Sequence, residues 1–331
     1  MYHRLLLLAT ILLLFSCKKK TGCDIPEEIE RIPVSVEIER LEKPFFAADS
    51  KQDIASFLDS NPVFAQRFLQ RKNYPSDSAI VNALYNLATN PELQKLAQEA
   101  DTTFGDMATE KQQLETAFKH IKYYYPEFKE PQVKTYVSGL NQDLFVSDSL
   151  LVFGIDFFIG KDASYRPDTY DYILKRYERP NMVPAAMLLL SNRYNKTKFL
   201  ERSLLAEMVN TGKAYYFVKS IMPCAPDSTI IGYSGQQLAD VRHNEGRIWA
   251  HFVEQKLLYE KSPFVVNKYI GERPNTPEID ATSPGRLGTW VGWQIVRRYM
   301  ERNPKVTLQE LMADDDHQKI FNESKYKPEK R

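Results

Sequence analysis

The chain has 331 residues, a formal net charge of +1 and 43% apolar residues. That near balance excludes a basic surplus for nucleic acid and an acidic surplus for a cationic partner, while the apolar share supplies a full core. Three cysteines in this length exclude a disulfide scaffold.

The N-terminus carries the most specific signal. His3-Arg4 precedes a compact apolar run from Leu5 to Phe15, which ends in Leu14-Phe15-Ser16-Cys17. A bilayer span needs roughly 20 apolar residues, so this shorter run fits a secretory h-region. Leu at −3, a small residue at −1 and then Cys read as a bacterial lipobox. Residues 1–16 are therefore expected to be a signal peptide. Cys17 is expected to become an acylated N-terminus, carrying diacylglycerol and palmitate, because stable anchoring needs more than one chain. The implied address is the outer membrane, on its periplasmic side rather than the cell surface. Lys18-Lys19-Lys20 then meets the lipid headgroups or serves as a solvated spacer. Cys23 and Cys224 could pair in an oxidising periplasm, with two buried or idle thiols as the preferred reading.

Residues 17–33 read as the lipidated N-terminus and tether, and 34–331 as a single domain. Val34 to Leu41 alternates as a half-buried strand. From Lys51 to Tyr125 apolar stripes recur at helical spacing, broken at Asn90-Pro91 and Tyr125-Pro126. This makes a helical half over about 34–130. In the second half, about 131–322, Val133–Val137 and Leu144–Val146 flank Gly139-Leu140-Asn141 and predict a hairpin. Leu150 to Ile159 is a near-continuous apolar run, the mark of a strand buried on both faces. Helices are expected from about Tyr170, Val183, Leu200 and Gln236, the last reaching Tyr259. Ser283-Pro284 reads as the cap and first position of another, and Thr307-x-x-Glu310 as a capping box. Within the helix expected from Gly285 to Met300, Gly288 and Gly292 stand four apart beside Trp290 and Trp293. That spacing reads as tight core packing, with Gly292→Leu costing about 1–3 kcal/mol. The class is α+β, predominantly helical, with a small central sheet.

A buried strand followed by a core helix pair is where a zincin-type metallopeptidase holds its metal, through two His on one helix and a third ligand on the next. Here the first helix carries Ala185-Ala186-Met187-Leu188-Leu189, with no ligand. The mature chain has His120, His243, His251 and His317. His243 and His251 share a helix face at a spacing of eight, but Arg247 between them cannot ligate. Gly232-Tyr233-Ser234-Gly235 resembles a nucleophile elbow with its second glycine one residue early, so Ser234 reads as a turn that starts a helix. A Ser234/His243/Asp240 set is allowed by residue type alone. Asp156 and Glu207 lie inside apolar runs and are expected to be hydrogen-bonded structural acids. No metal or cofactor is expected. The residues retained as a candidate functional cluster are Tyr233, Ser234, His243, Glu245, Trp249 and His251.

Several stretches together carry a family resemblance. They are the lipobox Cys17, LLVFGIDFFIGKD with Tyr165 and Pro167 behind it, IIGYSGQQLADVRHNEGRIWAHF, and SPGRLGTWVGWQIVRRYMERNP followed by LQELM. The chain resembles the gliding-motility lipoprotein family GldB of the Bacteroidota over nearly all of its mature length. Its second half is similar to predicted zinc-dependent peptidases, whose HExxH-type pair aligns with the helix Val183–Tyr194 and whose third ligand comes from a Glu-Gly on the next helix. This chain has Thr211-Gly212 there. The resemblance thus implies a degenerate zincin-like domain without peptidase activity. It also implies a non-enzymatic role in the envelope machinery of gliding and type IX secretion, with other envelope proteins as partners and no nucleic acid. The competing expectations are a hydrolase using His243, His251, Glu245 or Ser234, and a glycan- or peptide-binding lipoprotein using exposed aromatics.

Overall fold

The computed structural model describes residues 23–197 and 202–328. The expected signal peptide and the expected acylation site Cys17 lie outside the described residues. Among those described, no helix is long and apolar enough to cross a membrane.

The fold is α+β and mostly helical, built around a four-stranded sheet. Its strands are β1 (Ile38–Arg40), β2 (Gln132–Tyr136), β3 (Leu144–Val146) and β4 (Leu150–Gly154), in the order β1-β2-β4-β3. β2 runs parallel to both β1 and β4, while β3 returns antiparallel along β4 with Phe145 opposite Val152. The hairpin expected between β2 and β3 is therefore corrected: β4 is inserted between them. The reason is burial. All five residues of β4 are buried, and a strand without a polar face needs a neighbour on each edge and a core on each side. Gly139 and Leu140, both at positive φ, do not close a hairpin. They curl the chain around Asp156, whose Oδ2 accepts the backbone N–H of Ser138 at 3.0 Å and of Leu140 at 2.7 Å.

Alternation along β4 sorts two cores. Leu150 and Val152, with Tyr136, face an aromatic cluster containing Phe45, Phe57 and Phe64, supplied by α1 (Lys51–Ser60), α2 (Asp77–Ala88) and the short helices beside them. Leu151 and Phe153 face the larger core, which takes in α3 (Pro91–Phe104) and α4 (Ala108–Tyr124). β1 is shorter than the alternating stretch Val34–Leu41 because the Val36 N–H is taken by the Glu115 carboxylate of α4.

The strand leads to the expected helix pair, α5 (Met182–Ser191) and α6 (Leu204–Ile221), the latter capped by the Ser203 hydroxyl. The chain continues through α7 (Asp227–Ile231), α8 (Gly235–His243), α9 (Glu245–Glu254) and α10 (Pro263–Ile270). A two-stranded ribbon, β5 (Asn275–Thr276) and β6 (Asp280–Pro284), precedes α11 (Leu287–Arg302), α12 (Leu308–Ala313) and α13 (His317–Ser324). The capping box at Thr307 and Glu310 is present. Two expectations are corrected here. The helix from Gln236 to Tyr259 is interrupted at Asn244 and again after Glu254. Ser283-Pro284 ends a strand rather than starting a helix, because β6 pairs with β5 through Pro284; α11 begins only after Arg286 turns the corner at φ +59°.

α11 lies against α6 at glycine-on-glycine distance. A Cβ on Gly212 would fall 2.3 Å from the Gly292 carbonyl oxygen, and one on Gly292 only 1.8 Å from that of Met208. Trp290 and Trp293 are buried beside this contact. Cys23 and Cys224, expected as separate thiols, are joined in a disulfide with Cα atoms 5.1 Å apart. The fold carries the start of the described chain back to the loop after α6. The following turn, Glu27–Glu30, is held on α4 by Lys119 Nζ donating to the Glu30 carbonyl and Tyr123 Oη to Glu28.

Candidate functional site

The six residues of the sequence-derived cluster do not converge. Ser234 is the N-cap of α8 and its hydroxyl accepts the Gln237 N–H in a capping box. His243 ends the same helix, nine residues on, which is roughly 13 Å of helix axis. Asp240 accepts from Gln236 instead. No Ser–His–Asp relay exists in this geometry. His251 sits on α9, beyond the break at Asn244, and pairs through Nε2 with the Tyr269 hydroxyl at 2.8 Å; burial depresses its pKa. Glu245 and Trp249 are brought together, but by the C-terminal tail. Tyr326 donates to Glu245 Oε1 at 2.8 Å and lays its ring edge-on to Trp249 at 5.1 Å. Those two are a docking point for Tyr326, an internal contact.

The remaining sequence candidates are structural. His120 is buried in α4 with Nδ1 on the Thr116 carbonyl. Asp156 shapes the Ser138–Gln142 turn; its burial raises the carboxyl pKa against the opposing pull of the Leu140 and Ser138 N–H groups, and its Oδ1 has no partner. On α5, Ala186 and Met187 are buried core while Leu189 is exposed. On α6, Gly212 is used by the contact with α11.

Of the six, Tyr233 and Ser234 line a different feature, an open cleft of 910 Å³. It is bounded by the turn Asp171–Leu174 and the residues after it, by α7, by the loop Gly271–Pro274, and by the corner Pro284–Arg286. At its floor Arg286 is 8% exposed. Its Nη2 donates to the Ile231 carbonyl at 2.6 Å, its Nη1 to the Tyr215 hydroxyl at 3.1 Å, and its guanidinium lies 5.5 Å from the Tyr233 ring centre. Burial works against this charge, but Tyr215, Tyr233 and Glu272 keep its pKa above the ordinary value. The left-handed backbone at a non-glycine residue costs about 1–2 kcal/mol, and such strain collects where function or packing over-determines it. Gly285 allows the corner, since a Cβ there would meet the Arg273 carbonyl oxygen at 2.1 Å. The Tyr233 hydroxyl ties the same corner down by donating to the Gly285 carbonyl at 2.6 Å.

A second guanidinium faces the first. Arg176 grips Glu272 with both ends of its fork, at 2.7 and 2.6 Å. The same Glu272 carboxylate lies 3.6 Å from Arg286 Nε. Gly232, at φ +69°, lets the Arg176 stem pass, because a Cβ would fall 2.7 Å from its Cδ. At the mouth, the Tyr170 and Tyr172 rings stack at 5.6 Å with planes 13° apart, and Tyr170 is 71% exposed. The cleft therefore suits a carboxylate, which Glu272 now supplies, against the Arg176 fork with Arg286 Nε behind it, and a flat partner on tyrosine. Among the described residues it brings no serine, cysteine or threonine to a histidine base, and nowhere do three His, Cys, Asp or Glu gather as a metal set.

Arg176, Glu272, Arg286, Tyr170 and Tyr172 escaped the sequence reading. Arg286 lies inside the SPGRLGTW stretch, and Gly232 inside GYSG; those glycines next to chemistry-bearing residues were the available signal.

A family model described as "Gliding motility protein GldB" matches residues 22–328, nearly the whole chain. No curated protein and no solved structure matches.

Proposed function

The chain belongs to the family of the gliding motility protein GldB, and from that premise we propose that it works as a lipid-anchored, non-enzymatic component of the gliding machinery and the associated type IX secretion apparatus. Cys17 carries the anchor, and the outer membrane, periplasmic side, is the address. The unit β4–α5–α6 is read as a degenerate zincin-like frame. The observation that carries the non-enzymatic reading is the use to which that frame is put. Where a metal pair would stand, α5 holds Ala185 to Leu189, and Gly212 of α6 is pressed onto α11. The positions of the three ligands thus hold Ala185, Leu189 and Thr211, none of which is a zinc ligand. The cleft beside this unit has arginines and tyrosines and, among the described residues that line it, no histidine, which suits a binding or docking part.

The test is a clean deletion complemented by wild type and by Cys17→Ala, scored for colony spreading and secreted protein profile together. Loss of either trait, restored by wild type but not by Cys17→Ala, is the expected result. Normal spreading and secretion in the deletion would overturn the assignment. Peptide cleavage by the purified chain, abolished by zinc chelation, would overturn its non-enzymatic part.

A further inference from the structure

We propose that the cleft is a receptor for a carboxylate-bearing glycan, in which Glu272 holds the two-arginine seat that the ligand's carboxylate takes over. This rests on reading the cleft as a binding rather than a catalytic site.

Three observations carry it. The first is the seat. Arg176 and Arg286 converge on one carboxylate, and a planar guanidinium fork is the side chain best matched to carboxylate geometry. Glu272 itself is 43% exposed, so its hold is that of a surface ion pair, which is weak and exchangeable. Arg286, by contrast, is fixed from below by the Ile231 carbonyl and the Tyr215 hydroxyl. Arg286 is thus held in place whether or not Glu272 stays, while the Glu272 carboxylate is replaceable.

The second is the platform. Tyr170 and Tyr172 present a stacked pair of rings at the mouth. A flat aromatic face with a hydroxyl at its edge suits the C–H face and hydroxyl rim of a pyranose. The third is the lining. None of the described residues that line the cleft is Leu, Ile, Val, Phe, Met or Trp. A peptide partner buries apolar anchors among such side chains; here the apolar surface of the cleft is tyrosine rings with Pro180, Pro274 and Pro284. Asn181, Ser228 and Gln237 instead give hydroxyl and amide groups able to donate and accept. The volume lies toward the upper end of the roughly 300–1,000 Å³ usual for ligand sites, room for a short oligomer.

The experiment is calorimetric titration of the full mature chain with oligogalacturonate and with an alginate oligomer. A neutral galactose oligomer of equal length and an acidic peptide with a free C-terminus run alongside. Binding of at least one acidic glycan, weakening with salt and absent for the neutral oligomer, is expected. Arg176→Gln and Tyr170→Ala should each weaken it tenfold or more. Glu272→Gln should tighten it several-fold, because it removes the rival carboxylate; a merely structural Glu272 would give the opposite sign. Circular dichroism checks that each variant is folded. Failure of both acidic glycans to bind, equal binding of the neutral oligomer, binding of the peptide alone, or weaker binding by folded Glu272→Gln would each overturn the proposal. Chain lengths of the glycan after incubation are read separately: shortening would overturn the non-enzymatic reading while recognition stood.

Discussion

Replacing Gly292 with alanine adds one methyl group, and the structure leaves no place for it. The new Cβ would lie 1.8 Å from the Met208 carbonyl oxygen and 2.4 Å from its carbon. Ordinary carbon–oxygen contacts sit near about 3.3 Å, so α6 and α11 would have to part by roughly 1.5 Å along that line. The obstacle is backbone, which cannot rotate aside as a side chain would. A gap of even 0.5–1 Å forfeits about a quarter to a half of each dispersion contact, here around Trp290 and the Tyr215–Trp293 ring pair. Overpacking costs about 1–3 kcal/mol, and alanine returns up to about 1 kcal/mol of helix propensity. With a rigid obstacle the net loss should be about 2 kcal/mol for Gly292→Ala and more for Gly292→Leu. At about 2–4 °C per kcal/mol, thermal unfolding followed by circular dichroism should drop by about 5 °C for alanine. Gly235→Ala is the control, since a Cβ there meets nothing within 4 Å. Combining Gly212→Ala with Gly292→Ala should cost less than the sum, because one separation relieves both clashes. Gly292→Ala melting at or above wild type would refute the packing argument.

The disulfide joins positions 201 residues apart, and loops of that order are worth up to about 5 kcal/mol in the chain-entropy model. Cys23→Ser should therefore lower the denaturant midpoint, and unreduced protein should take up no alkylating reagent at either cysteine; labelling of both without reductant would contradict the bond. Asp156 has a raised folded pKa, so its contribution to stability is fully present below the unfolded value of about 3.9 and is lost as pH rises through the folded one. Wild type should lose stability relative to Asp156→Asn over that rise, and parallel pH profiles would exclude the effect. Lys213 is buried, donates to the Asp314 carbonyl, and burial lowers its pKa to about 8. Its desolvation cost is full below that value and is relieved between about pH 8 and the unfolded 10.4. Wild type should accordingly gain on Lys213→Met across that window, and a constant difference in urea midpoints would count against it.

Much of this protein was legible in its residues because the deciding interactions are local. Helical stripes, the capping box at Thr307 and the all-apolar strand Leu150–Gly154 depend on neighbours a few positions away, and the family motifs are strings that need no fold to be read. The close approach at Gly292 was legible too, since small residues four apart share one helix face. The partner of that face was not. Gly212 lies 80 positions earlier and meets it only where the fold lays α6 against α11. The strand order failed for the same reason: pairing is settled by which strand has no polar face to give to water, a comparison made across the whole sheet. Cys23 and Cys224, 201 positions apart, carried no local sign of meeting. The candidate site lay furthest from view. Arg176, Glu272 and Arg286 come from three separate segments, and each alone is an ordinary surface charge. Sequence determined most of the helices, the buried strand and the family; tertiary structure alone decided which charges face one another, because that depends on distances in space that chain order does not encode.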